Sequence, residues 1–315
     1  MMEYHIDSDD KLIKGEWELD LIGKNYESGF RGLHFVEKPI ELPGPQWNGE
    51  ELSGKTVLVS ADQGFGDTIL FSRFLMSPWR EKFKCEVIFD CQSELLPVLD
   101  IPNMVDRSHP EPIFDYCVPL SSLPHLLGIH NEADFVKKKQ YINGNIKEKI
   151  TPDEKLKIGL IWKGTNHTNI DLNLYDFESN LDVSGCNLYS LQYCGNQTIH
   201  EFTNKIAKTA LTEIRWDLKR AKMKPEFMLG NKIEDFSDTV SYIEQMDIII
   251  SVDTVTAHLA GAMNKPVWIP LKWGHVYWPW YSLFYPSAVT FWQKKNESWF
   301  YVLEQLRNKI NRYIS

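Results

Sequence analysis

The stretch Asp247–Leu271, DIIISVDTVTAHLAGAMNKPVWIPL, restricts what this chain can fold into more tightly than any other. Ile248, Ile249, Ile250 and Val252 make an apolar, β-branched run of the kind found in a parallel strand buried on both faces. Ser251, Asp253 and Thr254 supply a polar turn, and His258, Leu259, Ala260 and Ala262 continue at helical spacing. Gly261 gives that helix a small-residue side that can lie close to its own sheet. Lys265-Pro266 ends it, and VWIPL reads as the next strand. In open α/β sheets ligands sit beyond the carboxyl ends of the strands, where helix N-termini offer N–H groups and a positive dipole end. A Ser-Val-Asp-Thr turn there presents hydroxyls, a carboxylate and backbone donors. Asp253 and Thr254 are also good helix caps; His258, one turn along on the same side, tips the balance towards a ligand site.

The same pattern opens at Lys55. TVLVSADQGFGDTILFSRFL is a strand over Thr56–Ser60, a Gly-containing turn, and an amphipathic helix from Asp67 with Ile69, Leu70, Phe74 and Leu75 on one face. The turn carries Gln63, Gly64 and Gly66 but lacks the third glycine of a dinucleotide fingerprint, because position 69 is Ile. Asp67 would repel a phosphate. A carboxylate at a strand-to-helix turn suits taking a proton from a hydroxyl, with helix capping as the plainer role.

Weaker βα units follow: strand CEVIFDC, short helix SELLPVLDI, and strand FDYCVPL leading into SSLPHLLGI. Three such strands make half of a doubly wound sheet. The charged stretch VKKKQYINGNIKEKITPDEK reads as a linker. Strands resume with LKIGLIWKG, whose polar turn places Lys163, Asn166 and His167 at a strand's carboxyl end, and with NLYSLQY. A long polar and basic region then runs to Lys232. EDFSDTVSYIEQMD reads as a helix with Phe236, Val240, Ile243 and Met246 inward, and Asp235 and Asp238 near its start need no role beyond the dipole. The block KWGHVYWPWYSLFYPSAVTFWQ is too aromatic for a surface loop. Trp273, Tyr277, Trp278, Trp280 and Tyr281 either close the second domain's core or stack on a ring-shaped ligand. ESWFYVLEQLRNKINRYI is a last amphipathic helix. At the other end, residues 1–50 read as an appendage of two short helices broken at Gly23, followed by the stiff Pro39 to Pro45 connection.

Composition narrows the function. With 315 residues and a formal charge of −9, the chain has room for two domains, and its surface is not built for non-specific binding of polyanions. Five cysteines, none in a CxxC pair, read as reduced buried thiols rather than a zinc site. No apolar run reaches the roughly 18 to 20 residues of a spanning helix. MMEYHIDSDDK lacks the apolar core of a signal peptide, so a cytoplasmic protein is expected.

Together QGFGDTILFSRFL, LKIGLIWKG, NLYSLQ, DFSDTVSYIEQMDIIISVDTVTAHLAGAMNKPVWI and the closing aromatic block resemble the catalytic part of bacterial and phage glycosyltransferases related to the heptosyltransferases. In that group this part often follows tetratricopeptide repeats, and LIGKNYESGFRGLHFVEK is similar to their final helices. The resemblance covers residues 47 to 300. It implies an α/β chain of GT-B fold: two Rossmann-like doubly wound domains facing across a cleft, with a short helical N-terminal appendage. The implied divisions are 1–46 for the appendage, 47–150 for the acceptor domain, 151–295 for the donor-binding domain and 296–315 for the C-terminal helix.

It also implies a metal-independent reaction with no cofactor, the nucleoside diphosphate sugar being a substrate. Asp67 falls on the Gly-Asp position of the general base. Ser251, Asp253, Thr254 and His258 fall on the donor-binding motif, with Lys163 near the phosphates. Gln63, Gly64, Gly66, Asn166, His167, Trp273 and His275 are further candidates for acceptor or sugar contacts. Two departures stand out. IDLNLYDF replaces the family's Arg-Ser pair after the KG turn, and losing one charge-assisted hydrogen bond weakens binding by about 1.5 to 3 kcal/mol. Gly274 to Trp278 replaces the usual Asp-Trp-Arg-Trp. The expected activity is transfer of a sugar to an acceptor hydroxyl, on a glycan, a lipid-linked sugar, a protein or a modified DNA base. The alternatives are a catalytically degraded sugar-nucleotide-binding module, an epimerase of the same fold, or a scaffold acting through the N-terminal remnant. Oligomeric state is not readable.

Overall fold

The computed structural model describes residues 16–36, 42–107, 112–151, 154–164, 172–181, 183–194, 205–274, 277–281 and 284–314. Its backbone falls into two compact units, Met1–Asn143 with Val276–Pro286, and Gly144–His275 with Ser287–Ser315. The division at Asn143 lies inside the charged stretch 136–155, and the aromatic segment Val276–Pro286 joins the first unit.

The first unit opens with the hairpin of α1 (Glu16–Ile22) and α2 (Tyr26–Val36), broken at Gly23-Lys24, where Lys24 takes φ 65°. Strand β1 (Thr56–Ser60) and helix α3 (Phe65–Ser72) follow, then β2 (Glu86–Cys91), β3 (Met104–Asp106), β4 (Tyr116–Pro119), α4 (Leu123–Leu126) and α5 (Glu132–Phe135). The strands are parallel in the order β3-β2-β1-β4. Val57, Leu58 and Val59 are buried, as a central strand covered on both faces requires. Two details differ from the sequence reading. SELLPVLDI forms only a 3-10 turn over Ser93–Leu95, since Pro97 cannot donate in a helix interior. β3 is a fourth strand, too short and too half-buried for its pattern to show.

Rings from distant parts of the chain close this unit's core. Phe30 of α2 stacks on Phe135 and meets Trp278 edge-on, and Phe284 lies 4.0 Å from Phe135 between ring centroids. The aromatic block is therefore divided: Trp278, Trp280, Phe284 and Tyr285 are buried in the first unit, against the reading that they complete the second, while Trp273 and Phe291 belong to the second. Local patterning cannot reveal which sheet a buried ring covers.

The second unit comprises β5 (Leu156–Ile161), α6 (Leu174–Leu181), β6 (Cys186–Ser190), α7 (Lys205–Arg220), α8 (Phe236–Glu244), β7 (Ile248–Ser251), α9 (Val255–Ala262), β8 (Val267–Leu271), β9 (Ala288–Trp292) and α10 (Trp299–Ile314). Its sheet is again parallel, ordered β6-β5-β7-β8-β9. Thr256 to Ala262 of α9 are all buried, including the small residues Ala257, Ala260, Gly261 and Ala262. Asp235 and Asp238 form a reciprocal capping box at the start of α8. The polar and basic region before it contains α7, where Ile206, Ala210, Ile214 and Leu218 recur at helical spacing, and β9 emerges from the aromatic tail.

Both sheets have a point where strand order reverses: β4 lies beside β1 on the side away from β2, and β7 beside β5 on the side away from β6. Chains leaving adjacent strands in opposite directions open a crevice at the strands' carboxyl ends. Residues just after β1, β4, β5 and β7 are thus where each unit can receive a ligand.

Candidate functional site

At the reversal point of the second sheet, Ile161 of β5 pairs with Ser251 of β7, and the Val252 N–H donates to the Ile161 carbonyl at 3.0 Å. This register brings the Lys163 turn and the Ser251–Thr254 turn to one edge. Ser251 is buried; its hydroxyl lies 2.8 Å from the Val252 carbonyl, to which it donates, and 2.9 Å from the Thr254 hydroxyl. Thr254 is the N-cap residue of α9, with φ −150° and ψ 166°, yet its side chain makes no capping hydrogen bond. An ordinary Thr cap would cover an N–H of the first turn with its hydroxyl. Here the hydroxyl turns to Ser251 instead, leaving the dipole end of α9 without that oxygen. Asp253 is half-buried on the same turn, and His258 is buried one turn into α9.

Lys163 is fixed from two directions. Gln192, after β6, accepts from the N–H groups of Trp162 at 3.1 Å and Lys163 at 2.9 Å, and donates to the Lys163 carbonyl at 3.0 Å. The Lys163 ammonium pairs with Glu213 of α7. One helical turn further, Asp217 accepts from the Trp162 indole at 2.8 Å. Burial pushes the Asp217 carboxyl up, opposed by that indole and by nearby Lys163. Trp273 follows β8 at the same edge and donates its N–H to Gln293 at 3.3 Å. Asn166, His167 and His275 lie outside the described residues.

At the first sheet's reversal point, buried Asp62 ends β1. It accepts from the Ser121 N–H at 3.0 Å and from the Ser121 hydroxyl, joining the carboxyl ends of β1 and β4. Burial raises its pKa, offset by those two hydrogen bonds. The Gln63 carbonyl accepts from Gln92 at 3.0 Å, and the Thr68 hydroxyl donates to Gln92 at 3.2 Å. These contacts set the turn that delivers Asp67, in the first turn of α3 and half-buried. Gly64 is the N-cap and Gly66 lies within that turn. A methyl group placed on Gly64 would meet Asp67 Oδ2 at 3.8 Å among the described atoms, an ordinary contact. The Tyr277 hydroxyl donates to Asp67 Oδ1 at 2.5 Å.

Each unit therefore presents one polar edge. The first offers the Asp67 carboxylate; the second offers two hydroxyls, a carboxylate, a helix start that its N-cap side chain does not cap, and an ammonium. Sequence reasoning missed Asp62, Gln192, Glu213 and Asp217, and placed Tyr277 only among stacking or core rings. Among the described residues, no group of three or more His, Cys, Asp or Glu side chains is arranged to hold a metal ion, and no helix is long and apolar enough to cross a membrane.

No family model matches the chain. It is 23% identical over 301 aligned positions to Protein FlbA of Caulobacter vibrioides, covering 81% of this chain and 47% of that protein. The chain thus spans about half the length of the curated relative it matches. Among solved structures it is similar to a glycosyl transferase family 9 protein from Veillonella parvula, with a TM-score of 0.56, 11% identity, and coverage of 84% of this chain and 99% of that one. The dodecameric iron-containing heptosyltransferase TibC in complex with ADP-D-beta-D-heptose gives a TM-score of 0.52 and 13% identity, covering 84% of this chain and 78% of that one. TibC from enterotoxigenic E. coli gives a TM-score of 0.51 and 12% identity, with 84% and 77% covered. The two Rossmann-like units thus make a GT-B fold.

Proposed function

We propose that the chain is a metal-independent glycosyltransferase that moves a sugar from a nucleoside diphosphate donor to an acceptor hydroxyl. The observation that carries this reading is the Ser251–Thr254 turn, whose cap hydroxyl is turned aside at the start of α9 on the reversal edge of the second sheet. A diphosphate is the kind of ligand a helix start and flanking hydroxyls favour. Lys163, on the neighbouring strand, adds a cation once it leaves Glu213. Asp253 is suited to sugar or ribose hydroxyls, and buried His258 supports the turn from within α9. As the acceptor oxygen bonds to the sugar's anomeric carbon, the bond from that carbon to the diphosphate oxygen breaks. The diphosphate leaves with the electron pair, its charge met by fixed dipoles, and the acceptor's proton passes to Asp67. Gln63, Gly64, Gly66 and Trp273, with Asn166, His167 and His275, are the proposed contacts for acceptor or sugar.

ADP-heptose is the first donor to test, because the fold neighbour TibC is complexed with an ADP-heptose. A panel of ADP-, UDP- and GDP-sugars, followed by release of nucleotide with water as acceptor, tests the reading without knowing the acceptor. Turnover should be lost in Asp67→Asn while donor affinity by calorimetry stays within about twofold, and Thr254→Ala should weaken donor binding. A fully active Asp67→Asn removes the base; unchanged affinity in Thr254→Ala removes the donor turn.

The Lys163–Glu213 pair favours one second reading, a donor-binding module without catalysis, since the ammonium is already neutralised. Tight donor binding with no nucleotide release by wild type would decide for it.

A further inference from the structure

We propose that Gln192 is a positioning residue for Lys163: its carboxamide turns the chain out of the sheet at the end of β5 and fixes the backbone from which the ammonium is presented. The inference rests on the reading of Lys163 as a phosphate contact. The parallel ladder between β5 and β6 ends where Leu160 pairs with Ser190 and the Leu191 N–H donates to the Leu160 carbonyl at 3.0 Å. Beyond that point the Gln192 side chain takes over. Its Oε1 accepts from the Trp162 N–H at 3.1 Å and the Lys163 N–H at 2.9 Å, while Nε2 donates to the Lys163 carbonyl at 3.0 Å. Successive N–H groups of a strand point to opposite sides. Two that converge on one oxygen therefore mark a turn, of the concave kind that backbone N–H groups form around an acceptor.

That turn decides where two side chains go. In a continuing strand Trp162 and Lys163 would point to opposite faces; here the Trp162 indole reaches Asp217 and the Lys163 ammonium reaches Glu213, one turn apart on α7. Gln192 is itself held in place. It is buried, and two donors on one side with a carbonyl on the other leave its amide a single orientation. Gly230 packs so close to the Gln192 carbonyl that a side chain there would collide. Trp162 is fully buried, so its N–H depends on the Gln192 oxygen for a partner that water would otherwise supply. These contacts go to the Lys163 turn rather than outward, and Gln192 acts on a ligand through Lys163.

The test uses the full chain with lysine labelled with 13C at Cε, the Lys163 resonance being assigned by Lys163→Ala. Glu213→Gln records the shift that loss of the ion pair produces. Gln192→Asn keeps the amide without the reach, and Gln192→Met keeps the length without the hydrogen bonds. Each should shift the Lys163 resonance in the same direction as Glu213→Gln, and either one that folds suffices. Calorimetry with ADP, UDP and GDP, each beside its nucleoside, reads the consequence. Lys163→Ala and the Gln192 variants should each weaken diphosphate binding about tenfold and leave nucleoside affinity within about twofold. The double variant should bind no more weakly than Lys163→Ala alone. A resonance that stays in place in the Gln192 variants overturns the inference, as does a loss equal for nucleoside and diphosphate or additive with Lys163→Ala. If the resonance moves but Lys163→Ala binds each diphosphate like wild type, or wild type binds none, the phosphate reading of Lys163 fails and the positioning stands. If Lys163→Ala weakens diphosphate binding and the resonance does not move, the reverse holds.

Discussion

Arg73 gives the sharpest test of how the first unit is held together. Its side chain is 1% exposed. It donates to the carbonyls of Leu70 at 2.9 Å, Phe135 at 3.4 Å and Phe284 at 2.8 Å, and to the Tyr141 hydroxyl at 3.0 Å. The guanidinium carbon also lies 4.6, 4.8 and 5.0 Å from the ring centroids of Phe135, Tyr141 and Tyr285. Arg73→Met keeps much of the volume and removes a buried charge, which by itself is favourable. Against that, it strips the Phe284 carbonyl and the Tyr141 hydroxyl of their donor, at about 1 to 3 kcal/mol each. It also loses the cation–ring attraction, about 0.5 to 2 kcal/mol. The net expectation is a loss of about 3 kcal/mol. Arg73→Lys should be worse: one ammonium cannot span two acceptors on different sides, and it leaves the charge buried with donors unmatched. The expected order is therefore wild type, then Met, then Lys. Urea unfolding followed by amide exchange of α3 and residues 277–281 reads this out in the first unit, so that cooperativity between units is not assumed. A Lys variant as stable as wild type, or a Met variant more stable than it, refutes the two-acceptor fork as the link between α3 and the aromatic segment.

Three further outcomes follow from single contacts. Burial, and then the neighbouring His125, lower the His34 pKa to about 4, so folding resists its protonation. Stability is full above the unfolded value of about 6.5 and falls as pH drops towards 4; between pH 7.5 and 5 the hairpin's unfolding free energy should fall by about 2 kcal/mol, and a His34→Gln variant showing the same fall refutes the assignment. Asp62→Asn keeps both Ser121 contacts without a charge in a buried site. Because the Asp62 pKa is raised in the fold, its contribution is lost as pH rises through that value; the Asn variant should melt higher than wild type at pH 8, and a lower melting temperature contradicts this. Gly230→Ala would bring a methyl carbon within 2.0 Å of the Gln192 carbonyl oxygen. It should destabilise the second unit by about 1 to 3 kcal/mol and weaken donor binding by loosening the turn at Lys163; a neutral change in both is the refuting result.

The sequence showed most where structure is local. The strand, turn and helix at Ile248–Ala262 and at Thr56–Ser72 were readable because a buried run, a polar turn and a helical period sit side by side in the chain. Asp235 and Asp238 lie at the start of α8 as expected, but they do more than complement its dipole: they cap it reciprocally, a role the dipole reading left out. What failed was long-range or weakly patterned. β3 spans three half-buried residues and β9 is masked by neighbouring rings, whereas α7 carries a readable helical period that its charged surroundings drew attention from. Gln192 bonds from just after β6 to the end of β5 about thirty residues away, and Asp62 bonds across to β4, which chain order does not pair with β1, so no local spacing rule reveals their partners.

The aromatic segment shows why the first edge was only half legible. Trp278 and Trp280 are buried and Tyr277 and Tyr281 half-buried, yet hydrophobic burial is non-directional and the sequence cannot say which core such rings fill. The direction comes from hydrogen bonds: Arg73 to the Phe284 carbonyl, and Tyr277 to Asp67. Asp67 and Arg73 are six residues apart, on the order of 9 Å along a helix, while Tyr277 and Phe284 are seven apart. Two points of attachment fix both position and orientation of a segment, where one would fix position alone. A ring-conserving change within 277–285 should therefore leave stability nearly intact and still disturb the Asp67 carboxylate. A change at Arg73 should disturb both.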